Sequence, residues 1–172
     1  MCPSSTRTSA TDRVIRVARA AADVAACREL FLEYQASLGV SLCFQGFDRE
    51  LAELPGEYVA PRGGLWTAHV GEVLAGCVAL RPLDAQAAEM KRLYVRPAFR
   101  GSRLGLALAE RVIQAARDIG YGTLKLDTLP SMAEAQRMYA RLGFVETTPY
   151  NDNPVAGVRF LAYDLRPRVQ RA

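Results

Sequence analysis

From Ala88 to Val95 the sequence is a strand-like run closed by Arg96-Pro97. From Leu104 to Ile119 apolar side chains recur at Leu104, Leu108, Val112, Ala115 and Ile119, the spacing of a helix with one buried face. Gly120 stops that helix, and Thr123 to Leu129 reads as a further strand. A strand, a long helix and a second strand in this order return the chain to a parallel neighbour, because the crossover helix must lie back over the sheet. This unit therefore sets the fold class as α/β, with at least one parallel strand pair at its centre.

The flanking sequence supplies the rest of the sheet. Arg13 to Ala18 alternates as a first strand, and Ala21 to Leu38 carries a helical stripe through Val24, Cys27, Leu30, Phe31, Tyr34 and Leu38, with Gly39 as its stop. Asp48 to Leu54 is a short second helix ended by Pro55-Gly56, and Ser41 to Phe47 is a loop. Leu65 to Val70 and Val73 to Arg81 are joined by Gly71-Glu72, a link suited to a hairpin with one residue at positive φ. Beyond the crossover unit come a helix from Ser131 to Leu142 with a serine start, and strands from Phe144 to Thr148 and Arg159 to Leu165. The expected architecture is a single-domain mixed sheet, antiparallel in its N-terminal strands, flanked by about four helices. Residues 1–12 are expected to be a disordered leader, 13–165 the domain and 166–172 a basic tail.

The 172 residues suit one core. Of the net charge of +4, three units come from Arg166, Arg168 and Arg171 in the tail, so no nucleic-acid partner is expected. Cys2, Cys27, Cys43 and Cys77 are scattered, and none has a ligand-like spacing to another or to the single histidine, His69; no metal is expected. Cys27 and Cys77 sit among apolar neighbours, as reduced buried thiols do, which fits a cytoplasmic protein. The polar start offers no signal-peptide core, and no run has the length of a membrane span.

The chemistry concentrates in Leu93-Tyr-Val-Arg-Pro-Ala-Phe-Arg-Gly-Ser-Arg-Leu-Gly-Leu-Ala-Leu108, where a strand turns sharply into the best helix. Such a junction aims free N–H groups and the positive end of the helix dipole into one small volume, which suits a phosphate. Gly101 and Gly105 allow close backbone approach. Arg96, Arg100 and Arg103 oppose the dipole unless an anion is bound, although a solvated arginine cluster is the plain alternative. The sequence argues against a P-loop or Rossmann site, the more distant rival: there is no Gly-Lys-Ser/Thr, and the glycine turn follows three meandering strands instead of the first.

Arg100-Gly-Ser-Arg-Leu-Gly105, preceded by Val95-Arg-Pro97, resembles the coenzyme-A loop of the GNAT superfamily, Arg/Gln-x-x-Gly-x-Gly/Ala. Arg103 replaces the first family glycine. Asp127 to Phe144 resembles a second block of that family, with Ala135, Tyr139, Gly143 and Phe144 in register and Met132 where the family has asparagine. The resemblance implies an acetyl-coenzyme-A-dependent N-acetyltransferase whose acceptor is a primary amine of a small molecule, peptide or protein. A homodimer is compatible with it. It implies that the strands Glu89 to Val95 and Thr123 to Leu129 splay apart and that Leu93, Tyr94, Val95, Arg100, Gly101, Ser102, Arg103, Leu104, Gly105 and Leu106 hold the cofactor.

An alkyl amine is protonated at neutral pH and must lose a proton before attack. Glu89 is the first candidate for general base, through water, against the alternative of a solvent-facing strand-end carboxylate. Tyr139 matches the family tyrosine that protonates the thiolate. Asp127 is a second possible base, with a structural or helix-capping role preferred; His69 and Cys77 are assigned no catalytic role. The resemblance puts the acceptor against Phe44, Gln45, Tyr150 and Asn153. The competing reading is a non-catalytic acyl-coenzyme-A-binding module.

Overall fold

The computed structural model describes residues 12–43 and 46–166. The expected leader to residue 11, Phe44, Gln45 and the tail from 167 lie outside them. The described chain runs β1 Arg13–Val17, α1 Ala21–Leu38, α2 Phe47–Glu53, β2 Gly64–Val70, β3 Val73–Pro82, β4 Ala87–Val95, a 3₁₀ turn Pro97–Phe99, α3 Leu104–Ile119, β5 Thr123–Thr128, α4 Ala133–Leu142, β6 Val145–Glu146 and β7 Arg159–Asp164. Seven strands form one open sheet in the order β1-β2-β3-β4-β5-β7-β6, and β4-β5 is its parallel pair.

Local chemistry accounts for these elements. Val70 pairs with Val73 across Gly71, which sits at φ +59° in the β2-β3 hairpin. Helix α3 stops at Gly120, φ +98°, whose N–H closes on the Ala116 and Arg117 carbonyls. Its Leu108 and Val112 have no exposed surface and pack with Trp66, Val78, Leu80, Met90 and Leu124 on one face of the sheet. Helices α1 and α2 cover the other face through Leu30, Phe31 and Phe47, which meet Leu65, Cys77 and Tyr94. Fully burying such a side chain stabilises the fold by about 1.5–3 kcal/mol.

Two expectations are corrected. Helix α4 begins at Ala133, not Ser131, and its cap, Met132, makes no side-chain capping bond. Pro130 and Ser131 are spent on a turn in which the Met132 N–H reaches the Leu129 carbonyl at 3.0 Å. The strand expected from Phe144 to Thr148 is only Val145–Glu146, because Phe144 is drawn into the core, edge-on to Tyr139 with ring centroids 5.6 Å apart.

Candidate active site

The site originates where β4 and β5 part. Their ladder pairs Ala87 with Thr123, Ala88 with Leu124 and Glu89 with Lys125, and goes no further. Beyond that point β4 continues to pair with β3, and β5 with β7. The divergence has a local cause in β4. Cys77 faces Tyr94 while Ala79 faces Lys91, so Val78 opposes both Arg92 and Leu93, and Arg92 takes the left-handed conformation at φ +56°. A bulge of this kind bends its strand. The Arg92 guanidinium is anchored on the α2 side, its Nε donating to Glu50 Oε1 at 3.0 Å, over the Phe47 ring at 5.1 Å.

From this gap a groove of about 1100 Å³ runs to the start of α3. All of the expected cofactor residues line it except Ser102, whose hydroxyl donates back to the Phe99 carbonyl at 2.5 Å. Arg103 caps α3 at φ +61°, and Gly101 stands at φ +75° with open space where a Cβ would project. The helical ladder begins with the Ala107 N–H on the Arg103 carbonyl at 3.1 Å, so the N–H groups of Leu104, Gly105 and Leu106 precede it. These features fit a pyrophosphate: main-chain donors, a positive dipole end and no side chain over Gly101.

The three arginines separate in role. Arg96 is turned to α1, where Glu33 holds it at 2.7 Å and Glu29 adds a second contact, while the Leu74 carbonyl accepts from it at 2.9 Å. Arg100 and Arg103 stay exposed on the groove. Arg137 and Arg141, one turn apart on α4, form its other wall. Sequence reasoning missed that pair, although their four-residue spacing on the exposed face was available as a signal.

At the inner end of the gap lies a small cavity of about 30 Å³, lined by Tyr34, Lys91, Asp127, Tyr139 and Asn153 among others. It shares Tyr34, Leu38, Leu93 and Met132 with the groove. Tyr139 is buried, and loss of solvent pushes its hydroxyl well above the usual tyrosine range, so it keeps its proton at neutral pH. Tyr34 is pushed up to about 12 by the same burial.

Glu89 is buried and not solvent-facing. Arg81 Nε donates to its Oε2 at 2.7 Å, the Tyr150 hydroxyl to its Oε1 at 2.9 Å, and Lys91 Nζ lies 3.8 Å away. Lys91 is itself buried, and desolvation lowers its pKa against the opposing charge of Glu89. Asp127 does not cap α4. Its Oδ2 accepts from Asn153 Nδ2 at 3.0 Å and from Asn151 Nδ2 at 3.3 Å, which ties the segment after β6 to the gap. Tyr150 and Asn153 thus converge on the two carboxylates of the site. Cys77 is fully buried, with its thiol pushed up by desolvation, and Cys27 is pushed up to about 12; neither suits a nucleophile. His69 lies in the β2-β3 hairpin, paired with Leu74.

This mixed sheet, whose central parallel strands separate beside a glycine turn, has counterparts among known acetyltransferases. The profile of the Acetyltransferase (GNAT) family matches residues 19–144. An N-acetyltransferase of Schizosaccharomyces pombe is 39% identical over 138 residues, covering 79% of this chain and 85% of that protein. One from Dictyostelium discoideum is 28% identical, over 89% of this chain and all of its own length. Among solved structures, an acetyltransferase of Streptococcus agalactiae aligns with a TM-score of 0.74 at 23% identity, covering 88% of this chain and 98% of its own. A Salmonella typhimurium protein whose structure contains acetyl-CoA as its cofactor aligns at 0.67 and 21% identity, covering 91% and 96%. The chain belongs to the GNAT acetyltransferase family and is an acyltransferase. Among the described residues no helix is long and apolar enough to cross a membrane, and no group of three or more His, Cys, Asp or Glu is placed to hold a metal ion.

Proposed function

We propose that this chain transfers the acetyl group of acetyl-coenzyme A directly to a primary amine. The observation that carries this reading is that the groove at the α3 N-terminus and the Tyr139-lined cavity adjoin, sharing Tyr34, Leu38, Leu93 and Met132, beside the gap left where the β4-β5 ladder ends at Glu89. Bound there, acetyl-coenzyme A supplies an electrophilic thioester carbonyl and a thiolate leaving group. Gly101 to Leu106 would hold its pyrophosphate by main-chain donors, with Arg100 and Arg103 adding charge. Main-chain groups of Leu93, Tyr94 and Val95, on the stretch of β4 that β5 leaves unpaired, would hold the arm.

Glu89 takes the amine's proton through Tyr150: the Tyr150 hydroxyl passes its proton to Oε1, 2.9 Å away, as it accepts one from the amine side. Tyr139, kept protonated by burial, donates to the departing thiolate. The reduced thiols of Cys27 and Cys77 go with a cytoplasmic setting.

The test is calorimetric binding of acetyl-coenzyme A, followed by thiol release with a panel of primary amines. Binding with turnover is expected, together with a loss of about 10²-fold or more in kcat for Glu89→Gln and for Tyr139→Phe at unchanged cofactor affinity. Tight binding with no thiol release from any amine would instead mark a non-catalytic acyl-coenzyme-A-binding module.

A further inference from the structure

Lys91 on β4 and Asp127 on β5 each stand two residues past the last paired positions, Glu89 and Lys125. They lie on the same side of their strands as that pair, because side chains alternate along a strand. Both line the inner cavity, whose polar wall also includes Tyr34, Tyr139, Asn153 and Arg92, the last neutralised by Glu50. Asp127 is therefore the carboxylate that this cavity meets, whereas Glu89 is covered by Arg81 and Tyr150. Asn151, whose amide nitrogen donates to Asp127, keeps its own Oδ1 buried without a partner among the described residues. A buried acceptor left unmatched beside a carboxylate calls for a donor with several N–H bonds.

Size narrows the choice. The inner cavity, about 30 Å³, admits little more than one water-sized group. Outside it, beyond Asn153, lies a wider pocket of about 530 Å³ lined by Asn151, Asp152, Glu146 and Arg159. Asn153 lines both spaces and so stands between them. A narrow seat behind a wide vestibule suits a terminal –CH₂–NH₃⁺ group on a longer polar body. An amine on a branched carbon brings too much bulk to the seat.

Resting on the acetyl-transfer reading above, we infer that Asp127 is the seat of the acceptor's ammonium group, that the acceptor enters past Asn153, and that its class is an unbranched primary aminoalkyl compound. Asp127 and the Asn151 amide oxygen accept from the ammonium, and Tyr150 and Glu89 then remove one proton, which leaves the neutral nitrogen to attack. The new C–N bond forms as the C–S bond breaks; the thiolate receives the proton of Tyr139, and the acylated nitrogen gives up its second proton to the Tyr139 phenolate so formed, which leaves a neutral amide. Asp127 acts in recognition and Glu89 in proton transfer, so their variants separate in kinetics.

The experiment compares 1-aminobutane with 2-aminobutane, and 1,5-diaminopentane with Nα-acetyl-lysine amide, on the full chain with saturating acetyl-coenzyme A. Unbranched amines are expected to exceed the branched isomer at least about tenfold in kcat/KM, and Asp127→Asn to raise their KM by about 10- to 100-fold with cofactor affinity unchanged. The diamine and lysine arms report whether the aminoalkyl group comes on a small molecule or on a peptide side chain. Should Asp127→Asn fail to fold, as judged by cofactor binding, Asn153→Trp closes the passage and must raise KM in the same way. A parent-like KM in the folded variants, or equal rates for the two butylamines, overturns the inference while the transfer reading stands. If the parent releases no thiol, the heat of 1,5-diaminopentane binding to the coenzyme-A complex decides. Heat lost in Asp127→Asn keeps the seat and removes the transfer reading, and no heat in the parent removes both.

Discussion

Arg103 holds two unfavourable positions at once. Its backbone lies in the left-handed region at φ +61°, where a side chain costs about 1–2 kcal/mol, and its charge stands at the N-terminus of α3, against the dipole. The neighbouring Arg100 is partly occupied, its Nε on the Val95 carbonyl at 3.1 Å, whereas Arg103 faces the groove. A bound diphosphate reverses the electrostatic part of this cost. Arg103→Gly is therefore expected to raise the thermal midpoint by about 2–4 °C, through relief of about 1 kcal/mol, while weakening coenzyme-A binding about tenfold. Arg103→Ala keeps the backbone strain and relieves only the charge against the dipole, so it loses the affinity for a smaller gain. Calorimetry and a melting curve on the pair check both halves, and an undiminished affinity in either variant removes Arg103 from the phosphate site.

The bent strand β4 governs the site at the level of elements, and Gly76 of β3 keeps β3 against that bend. A Cβ at Gly76 would come within 2.5 Å of the Tyr94 carbonyl and 3.4 Å of Leu108, so the two strands must separate to admit it. Gly76→Ala is expected to destabilise the fold by about 1–3 kcal/mol and to weaken cofactor binding, since the displaced stretch is the one facing the gap. Unfolding in urea and cofactor calorimetry read the two effects, and a variant with parent-like values in both would show that β4 does not need this contact. How much of such an element the sequence carries depends on where its cause lies. The Gly71-Glu72 hairpin and the α3 stripe were legible because turn chemistry and helical period are local. The bulge was not legible, because Arg92 takes a positive φ without a glycine to mark it. Asp127 was read as a structural or capping residue, and the partners that give it a structural role were not legible because those asparagines stand 24 and 26 residues later in the chain. The glycine turn and Tyr139 were visible only as motif positions; that they line adjoining spaces beside the strand gap is a property of the register.

On the scale of the whole molecule, α1 and α2 are tied to β4 and to the residue that follows it by ion pairs of unequal weight. Arg96 with Glu33 and Glu29 is partly solvated, and solvent and salt screen such pairs to about 0–1 kcal/mol. Arg92 with Glu50 is different: the side chains are 3% and 14% exposed, and the Tyr58 hydroxyl completes the carboxylate at 2.6 Å. Burial works to raise the pKa of Glu50, but the hydrogen bonds and charge of Arg92 prevail and hold it below the usual value of 4.5. A carboxyl that is more acidic in the folded state than in the unfolded chain binds fewer protons there. Its contribution is then complete above about pH 4.5 and disappears as pH falls through the lowered folded value. The urea midpoint should therefore drop as the solution is taken from about pH 5 to about pH 3. Glu50→Ala should cost about 3–5 kcal/mol at neutral pH, since Arg92 remains buried without its counter-charge, and should flatten that acid limb. Glu33→Ala should lower the plateau far less and leave most of the limb in place. Parallel acid limbs in the parent and Glu50→Ala would mean that other carboxyls carry the transition and that α2 is held to β4 by its apolar contacts alone.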